Sequence, residues 1–202
     1  LSDANQLAVG VTTRLLDAAG GRQYVSATIG QSYYFEDPRV RLPDEPVSAR
    51  DASDVVGELE MSAFQDWSAR LGIRWDPENN QTVKSEVGLQ YRPASNRVVN
   101  AGYRLQRDSI EQLDMSVAWP ISDSWRGFGR WVYSLQEDKT LDQFVGLEYG
   151  SCCWALRLVT RRFVSSRTGD IDTSIGLQLE LKGLSSVGTD TESFLRDAIR
   201  GY

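Results

Sequence analysis

The side chains with the most distinctive chemistry are Cys152 and Cys153. They are the chain's only cysteines, adjacent and followed by Trp154. Neighbouring Cα atoms sit ~3.8 Å apart, below the usual ~4.4–6.8 Å of a disulfide, so a bridge between the two is strained. Three uses stay open on the residues alone. Each thiol bridges to a cysteine outside this chain, which is the most economical reading in an oxidising compartment; or both stay free and buried; or they form a redox pair. Zinc is not expected, because two thiolates fall short of four ligands when no other cysteine or histidine exists. The 202 residues contain no histidine. Hydrolase chemistry of the Ser-His-Asp or Cys-His kind is thereby removed. No catalytic residue, metal or cofactor is expected.

The remaining chemistry is charge. Twenty-two Lys and Arg face 28 Asp and Glu, for a net charge of −6. That argues against nucleic acid as a partner, which needs a basic face for its phosphates. Hydrophobic residues make up 41% of the chain, unlike a disordered composition. No apolar run approaches the ~18 residues of a membrane-crossing helix. The chain begins at Leu1 with neither Met nor a signal peptide, and is read as a piece of something longer.

Strict alternation positions these charges. Trp67, Ala69, Leu71, Ile73 and Trp75 oppose Ser68, Arg70, Gly72, Arg74 and Asp76. Val99, Ala101, Tyr103 and Leu105 oppose Asn100, Gly102, Arg104 and Gln106. Leu113, Met115, Val117 and Trp119 oppose Gln112, Asp114, Ser116 and Ala118. Ile175, Leu177, Leu179 and Leu181 oppose Gly176, Gln178, Glu180 and Lys182. Turn residues cut the pattern at regular intervals. The expected strands are 5–17, 22–36, 54–64, 67–76, 81–92, 97–107, 111–119, 125–136, 140–149, 154–164 and 173–183. These are about eleven antiparallel strands joined by hairpins. One long connection, 37–53, carries Pro38, Pro43 and Pro46 and nothing that would pack. The tail from 184 is expected not to be a strand. Thr189-Asp190-Thr191-Glu192 resembles a capping box ahead of Phe194, Leu195, Ala198 and Ile199. A short helix covering the barrel base or meeting a partner, and a frayed end, both fit.

These strands run ~10 residues, against ~5–6 in soluble proteins and about 9–11 in membrane-spanning ones. Trp67 and Trp75, eight residues apart on one face, span roughly 19 Å along the membrane normal at a 45° tilt. That is close to the separation of aromatic girdles around an apolar band ~25 Å tall. Tyr33, Phe35, Trp119, Trp125, Tyr149 and Trp154 also sit near strand ends. A soluble sandwich or barrel with one buried face gives the same alternation. Strand length, girdle spacing and the mixed charges of the second face favour a transmembrane up-and-down β-barrel. Arg70, Arg74, Glu86, Arg104, Asp114, Arg126, Arg130, Glu148 and Arg157 would face its lumen, each as a solvated wall group. Eleven is odd, whereas bacterial barrels have even strand numbers. If 37–53 is extracellular, the first strand starts outside the cell. Either one strand is uncounted, or this is the C-terminal part of a larger barrel.

The run Glu148-Tyr149-Gly150-Ser151-Cys152-Cys153-Trp154-Ala155-Leu156-Arg157 resembles the double-cysteine segment of the LPS-assembly protein LptD family. Ile175 to Ser186, Ser2 to Thr12 and Ser116-Val117-Ala118-Trp119-Pro120-Ile121 resemble the same family. The resemblance covers essentially the whole chain. It implies an outer-membrane β-barrel of Gram-negative bacteria, with a periplasmic jellyroll at its N-terminus and a lipoprotein plug, LptE. Lipopolysaccharide would arrive over a periplasmic Lpt bridge and leave through a lateral gate between the first and last strands. Residues 1–184 would be the C-terminal portion of that barrel, in contact with outer-membrane lipid, and 185–202 a periplasmic tail. Cys152 and Cys153 would bridge to cysteines of the jellyroll, each bridge adding ~2–4 kcal/mol. Ile175, Gly176, Leu177, Gln178, Leu179, Glu180 and Leu181 would lie in the gate strand. Gly176 and Gly183 either lower that strand's cohesion or fit bends. The alternative function is another outer-membrane barrel, a porin or receptor forming a passive pore.

Overall fold

The computed structural model describes residues 5–35, 51–165 and 169–202. One antiparallel sheet holds twelve strands in sequence order, each paired with its chain neighbours. They are β1 Gln6–Leu16, β2 Gln23–Tyr34, β3 Val55–Phe64, β4 Trp67–Asp76, β5 Gln81–Ala94, β6 Arg97–Gln106, β7 Ile110–Pro120, β8 Trp125–Ser134, β9 Lys139–Gly150, β10 Trp154–Val164, β11 Ile171–Leu181 and β12 Ser185–Gly188. A helix, α1, follows at Thr191–Ala198. The sheet is open, with β1 at one edge and β11 with β12 at the other, as in an incomplete up-and-down barrel.

The eleven long strands stand where alternation places them. The last of them begins and ends two residues earlier than expected, at Ile171–Leu181. Four residues of the tail are a strand after all: Ser185–Gly188 pairs with Gln178–Leu181. Ser185 and Ser186 gave no apolar alternation to read, and the pairing comes from the hairpin at Lys182–Leu184. The connection 37–53 lies mostly outside the described residues. Its last residues do pack, with Ala52 bridging Tyr33 and Ser53 N–H donating to Ser32 O at 2.7 Å.

The two sheet faces differ in kind. The face carrying Val9, Leu71, Leu89, Met115, Val117, Val145, Leu158 and Leu177 is apolar and exposed, Val145 by 64%. Among the described residues no second layer covers it, so these side chains do not converge on an interior, as a soluble sandwich would require. A continuous uncovered apolar surface of this extent is at home in lipid. Its rim at the Cys152-Cys153 end is aromatic. Ring centroids of Trp67 and Tyr91 lie 4.7 Å apart, of Tyr91 and Trp119 6.4 Å, of Trp125 and Tyr149 5.0 Å, and of Tyr149 and Trp154 5.3 Å; only Tyr91 and Trp119 stack, Trp125 and Tyr149 meet edge-on and the other two pairs are tilted. Trp75 marks the opposite end of the same face.

The other face is charged, and its charges are paired across strands. Arg70 meets Glu60 at 2.9 Å, Arg74 meets Asp54 at 2.6 Å, Arg104 meets Glu86 at 3.9 Å, and Arg161 meets Asp142 at 2.9 Å. Arg130 grips Asp114 with two bonds of 3.1 and 2.6 Å. The molecule's only buried apolar cluster among the described residues also lies on this face, under α1.

Candidate functional site

α1 forms because its ends are capped and one side is apolar. The cap is Asp190, one residue later than the sequence pattern suggests. Its carboxylate accepts from Ser193 N–H at 3.1 Å and from Ser193 O–H at 2.8 Å. Those bonds stabilise the ionised form, so the Asp190 pKa falls below the ordinary carboxylate value. Thr189, freed from capping, closes the chain against β11 instead: its N–H donates to Leu177 O at 2.8 Å, and its Oγ1 accepts from Leu177 N–H at 3.2 Å.

The helix lies across the strands on the polar face. Val98, Ala118, Phe128, Gly146, Val159 and Gly176 form one row of directly paired positions from β6 to β11. Leu195 and Ile199, both fully buried, pack onto this row with Phe144, while Phe194, Ala198 and Tyr202 flank it. Phe194 meets Phe144 and Tyr202 meets Phe128 edge-on, at 5.0 and 5.5 Å. Each large apolar side chain buried this way contributes ~1.5–3 kcal/mol. Gly176 belongs to the row for a steric reason: a Cβ there would stand 3.0 Å from Thr191 Cγ2. Gly183 is not in the strand at all but in the β11–β12 turn.

Arg157 ties this assembly together. It is the most buried charge of the sequence-predicted set, with its side chain 9% exposed. Its guanidinium bonds Glu148 of β9, Glu180 of β11 at 2.8 Å and Glu192 of α1 at 3.2 Å. The expectation that every charge on this face is a solvated wall group fails here, because α1 roofs over Arg157. Gln178, also buried, accepts from Thr191 O–H at 2.6 Å and Glu192 N–H at 3.0 Å. At the far end, Arg200 O accepts from Gln90 and Asn100 amides, both at 3.0 Å. Arg126 lies over the Tyr202 ring at 4.5 Å. The tail is thus fastened from β11 across to β5.

Arg70, Arg74, Glu86, Arg104, Asp114, Arg126, Arg130, Glu148 and Arg157 all lie on this one face, as their register pairs require. The structure brings Glu148 and Arg157 into one cluster and Asp114 and Arg130 into another, whereas Arg70 and Arg74 pair locally. Alternation could not reveal the apolar row beneath α1. The signal was nevertheless present: Val98, Ala118, Phe128, Phe144 and Val159 are apolar residues at polar-face positions.

Cys152 and Cys153 sit in the three-residue turn between β9 and β10. Both are exposed thiols with their Sγ atoms 2.7 Å apart. The turn is held by the start of the β11–β12 hairpin, with Lys182 N–H donating to Cys153 O at 3.0 Å and the Lys182 ammonium to Ser151 O at 2.5 Å. The Cys152 thiol raises the Cys153 pKa through their hydrogen bond, and some desolvation adds to it; Lys182 opposes both. The buried-thiol reading is therefore set aside. Among the described residues no group of side chains could hold a metal ion.

Among solved structures, the chain is similar to a triple mutant of the Rhodopseudomonas blastica porin, with a TM-score of 0.46 and 8% identity over 91% of this chain and 83% of that one. The relatives known by sequence are much nearer. The whole chain is 40% identical to the LPS-assembly protein LptD of Nitrosococcus oceani, covering 27% of its length. It is 40% identical to that of Nitrosomonas europaea, covering 28%, and 36% identical to that of Xylella fastidiosa, covering 26%. The chain thus spans about a quarter of the length of the relatives it matches. The family model described as "LptD: LPS transport system D" matches residues 1–125. With identities of this size over the entire chain and a family match over more than half of it, the chain belongs to the LptD family of LPS transport.

Proposed function

We propose that this chain is the C-terminal part of an outer-membrane barrel wall through which lipopolysaccharide reaches the outer leaflet of Gram-negative bacteria. The observation that carries this reading is the pair of contrasting faces. One is apolar and uncovered along eleven long strands, and the other is charged and ion-paired, in a chain of the LptD family. Lipid takes the first and water the second. The polar face would line the lumen, where the lipoprotein LptE plugs the barrel. The periplasmic Lpt bridge would deliver the lipid, and β11 would form one side of a lateral gate.

Cys152 and Cys153 would each bridge to a cysteine of the N-terminal jellyroll. Two observations support this. Both thiols are exposed at the sheet end bearing the aromatic rim, and the chain has no third cysteine to pair with. The turn holding them is bonded to Lys182, the residue that directly follows β11. Bridges there would fix the jellyroll's exit close to the gate strand. The test is non-reducing electrophoresis of the full-length protein carrying Cys152→Ser, Cys153→Ser or both, alongside surface labelling of lipopolysaccharide. A mobility shift lost stepwise, with export falling in the double variant, supports the reading. Mobility indifferent to both cysteines refutes the bridges, and ion conductance without lipid export refutes the transport role.

A further inference from the structure

The open edge of β11 is not uniform along its length. Its half nearest the cysteine turn is occupied: Gln178–Leu181 pair with β12, and Leu177 exchanges both of its bonds with Thr189. The remaining half, Ile171–Gly176, has no strand beside it among the described residues. By the alternation of an antiparallel ladder, Ile171, Thr173 and Ile175 aim their N–H and C=O groups the same way as Leu177. Three donor–acceptor pairs are thus left for a neighbouring strand.

β12 is held firmly in place. Gly188 leaves it at φ +109, with a Cβ direction blocked by Leu177 O, so only glycine fits the exit. From there the chain enters α1, whose Leu195 and Ile199 are buried and whose Glu192 is bonded to Arg157. β12 is therefore the outer tip of a tail anchored on the lumenal face.

An open edge is costly in lipid, and β1 forms the second open edge of this sheet. The chain spans about a quarter of its relatives' length, so the strand that closes the barrel against β11 belongs to the rest of the polypeptide. A straight strand cannot lie beside β11 over Ile171–Gly176 and beside β12 over Ser185–Gly188, because the two edges are offset by one strand spacing of ~4.8 Å.

We propose that Ser185–Tyr202 is a built-in wedge: β12 fills the cysteine-side half of the last strand's edge, α1 locks it to the lumenal wall, and the closing strand of the same protein zips to β11 only along Ile171–Gly176. The seam is then stepped, with the closing strand paired along only half of β11. This inference rests on reading β11 as the gate strand.

The experiment is site-specific photocrosslinking in the full-length protein, assembled in membranes with its lipoprotein. A benzoylphenylalanine is placed singly at Thr173, Ile175, Leu179 or Leu181, and the cross-linked peptides are identified by mass spectrometry. Thr173 and Ile175 are expected to capture one strand from the N-terminal part of the barrel, and Leu179 and Leu181 only the β12 segment. With Gly188→Val, which ejects β12, capture of the N-terminal strand is expected to extend to Leu179. Capture of that strand at all four positions in the otherwise unchanged protein overturns the wedge and leaves the gate standing. Capture of no strand of the same polypeptide overturns the gate reading and the wedge together.

Discussion

Replacing Arg157 by methionine keeps the aliphatic stem and removes the charge that three carboxylates share. Glu148, Glu180 and Glu192 would then face one another with their cation gone. Removing one partner of a buried pair costs ~3–5 kcal/mol. Glu180 and Glu192 are 29% and 34% exposed, so water relieves part of their repulsion and the lower end, ~3 kcal/mol, applies. The cheapest relief is for α1 to leave, taking Glu192 with it, because local opening needs less than global unfolding. At ~1.4 kcal/mol per tenfold, the docked-to-undocked ratio falls about 100-fold. Hydrogen exchange of the α1 amides in the full-length protein reads this directly, with the strands as internal reference. Arg70→Met is the comparison. Arg70 and Glu60 are 48% and 50% exposed, and such a pair contributes ~0–1 kcal/mol. Adding Glu148→Gln to Arg157→Met should recover part of the loss. Equal exchange rates for the Arg157 and Arg70 variants would refute the idea that Arg157 fastens the tail.

Leu195→Ala should cost ~2–5 kcal/mol, read as protease cleavage of the tail while the barrel stays intact; an uncut tail refutes the packing described. Val145→Lys, on the apolar face, should cost ~2–4 kcal/mol at the bilayer midplane, whereas Gln112→Lys on the polar face should be tolerated within ~0.5 kcal/mol, as measured by urea unfolding in lipid. In the reduced protein, maleimide labelling of Cys153 should accelerate only above the ordinary thiol pKa of ~8.5, and Lys182→Gln should move that threshold higher, since the ammonium lowers the Cys153 pKa. The Asp190 pKa is depressed in the folded tail, so its capping contribution is present above the ordinary aspartate value of ~3.9 and is lost as pH falls through the depressed one. Exchange of the Ser193 amide should rise below about pH 4, and Asp190→Asn should remove that pH dependence.

What the sequence determined by itself is everything that depends on period two. An antiparallel strand sends successive side chains to opposite faces, so the eleven long strands, their two faces and the placement of nine charges on one of them were all legible from spacing. That Cys152 and Cys153 stand at the start of a strand was legible, because Gly150 and Ser151 precede them as turn residues; that both thiols are exposed was decided by the structure. The tertiary structure decided what breaks that period. Phe128, Phe144 and Val159 are apolar residues on a charged face, and only the arrival of α1 from fifty or more positions along, or thirty-odd for Val159, gives them a partner. Arg157 has the spacing of a solvated wall residue but is buried, because the roof above it comes from a segment far away in sequence. β12 has no pattern of its own; it exists because the turn at Gly183 returns the chain to an edge with unmet backbone bonds. Local periodicity reports which way a side chain points, whereas burial depends on what the rest of the chain brings to meet it.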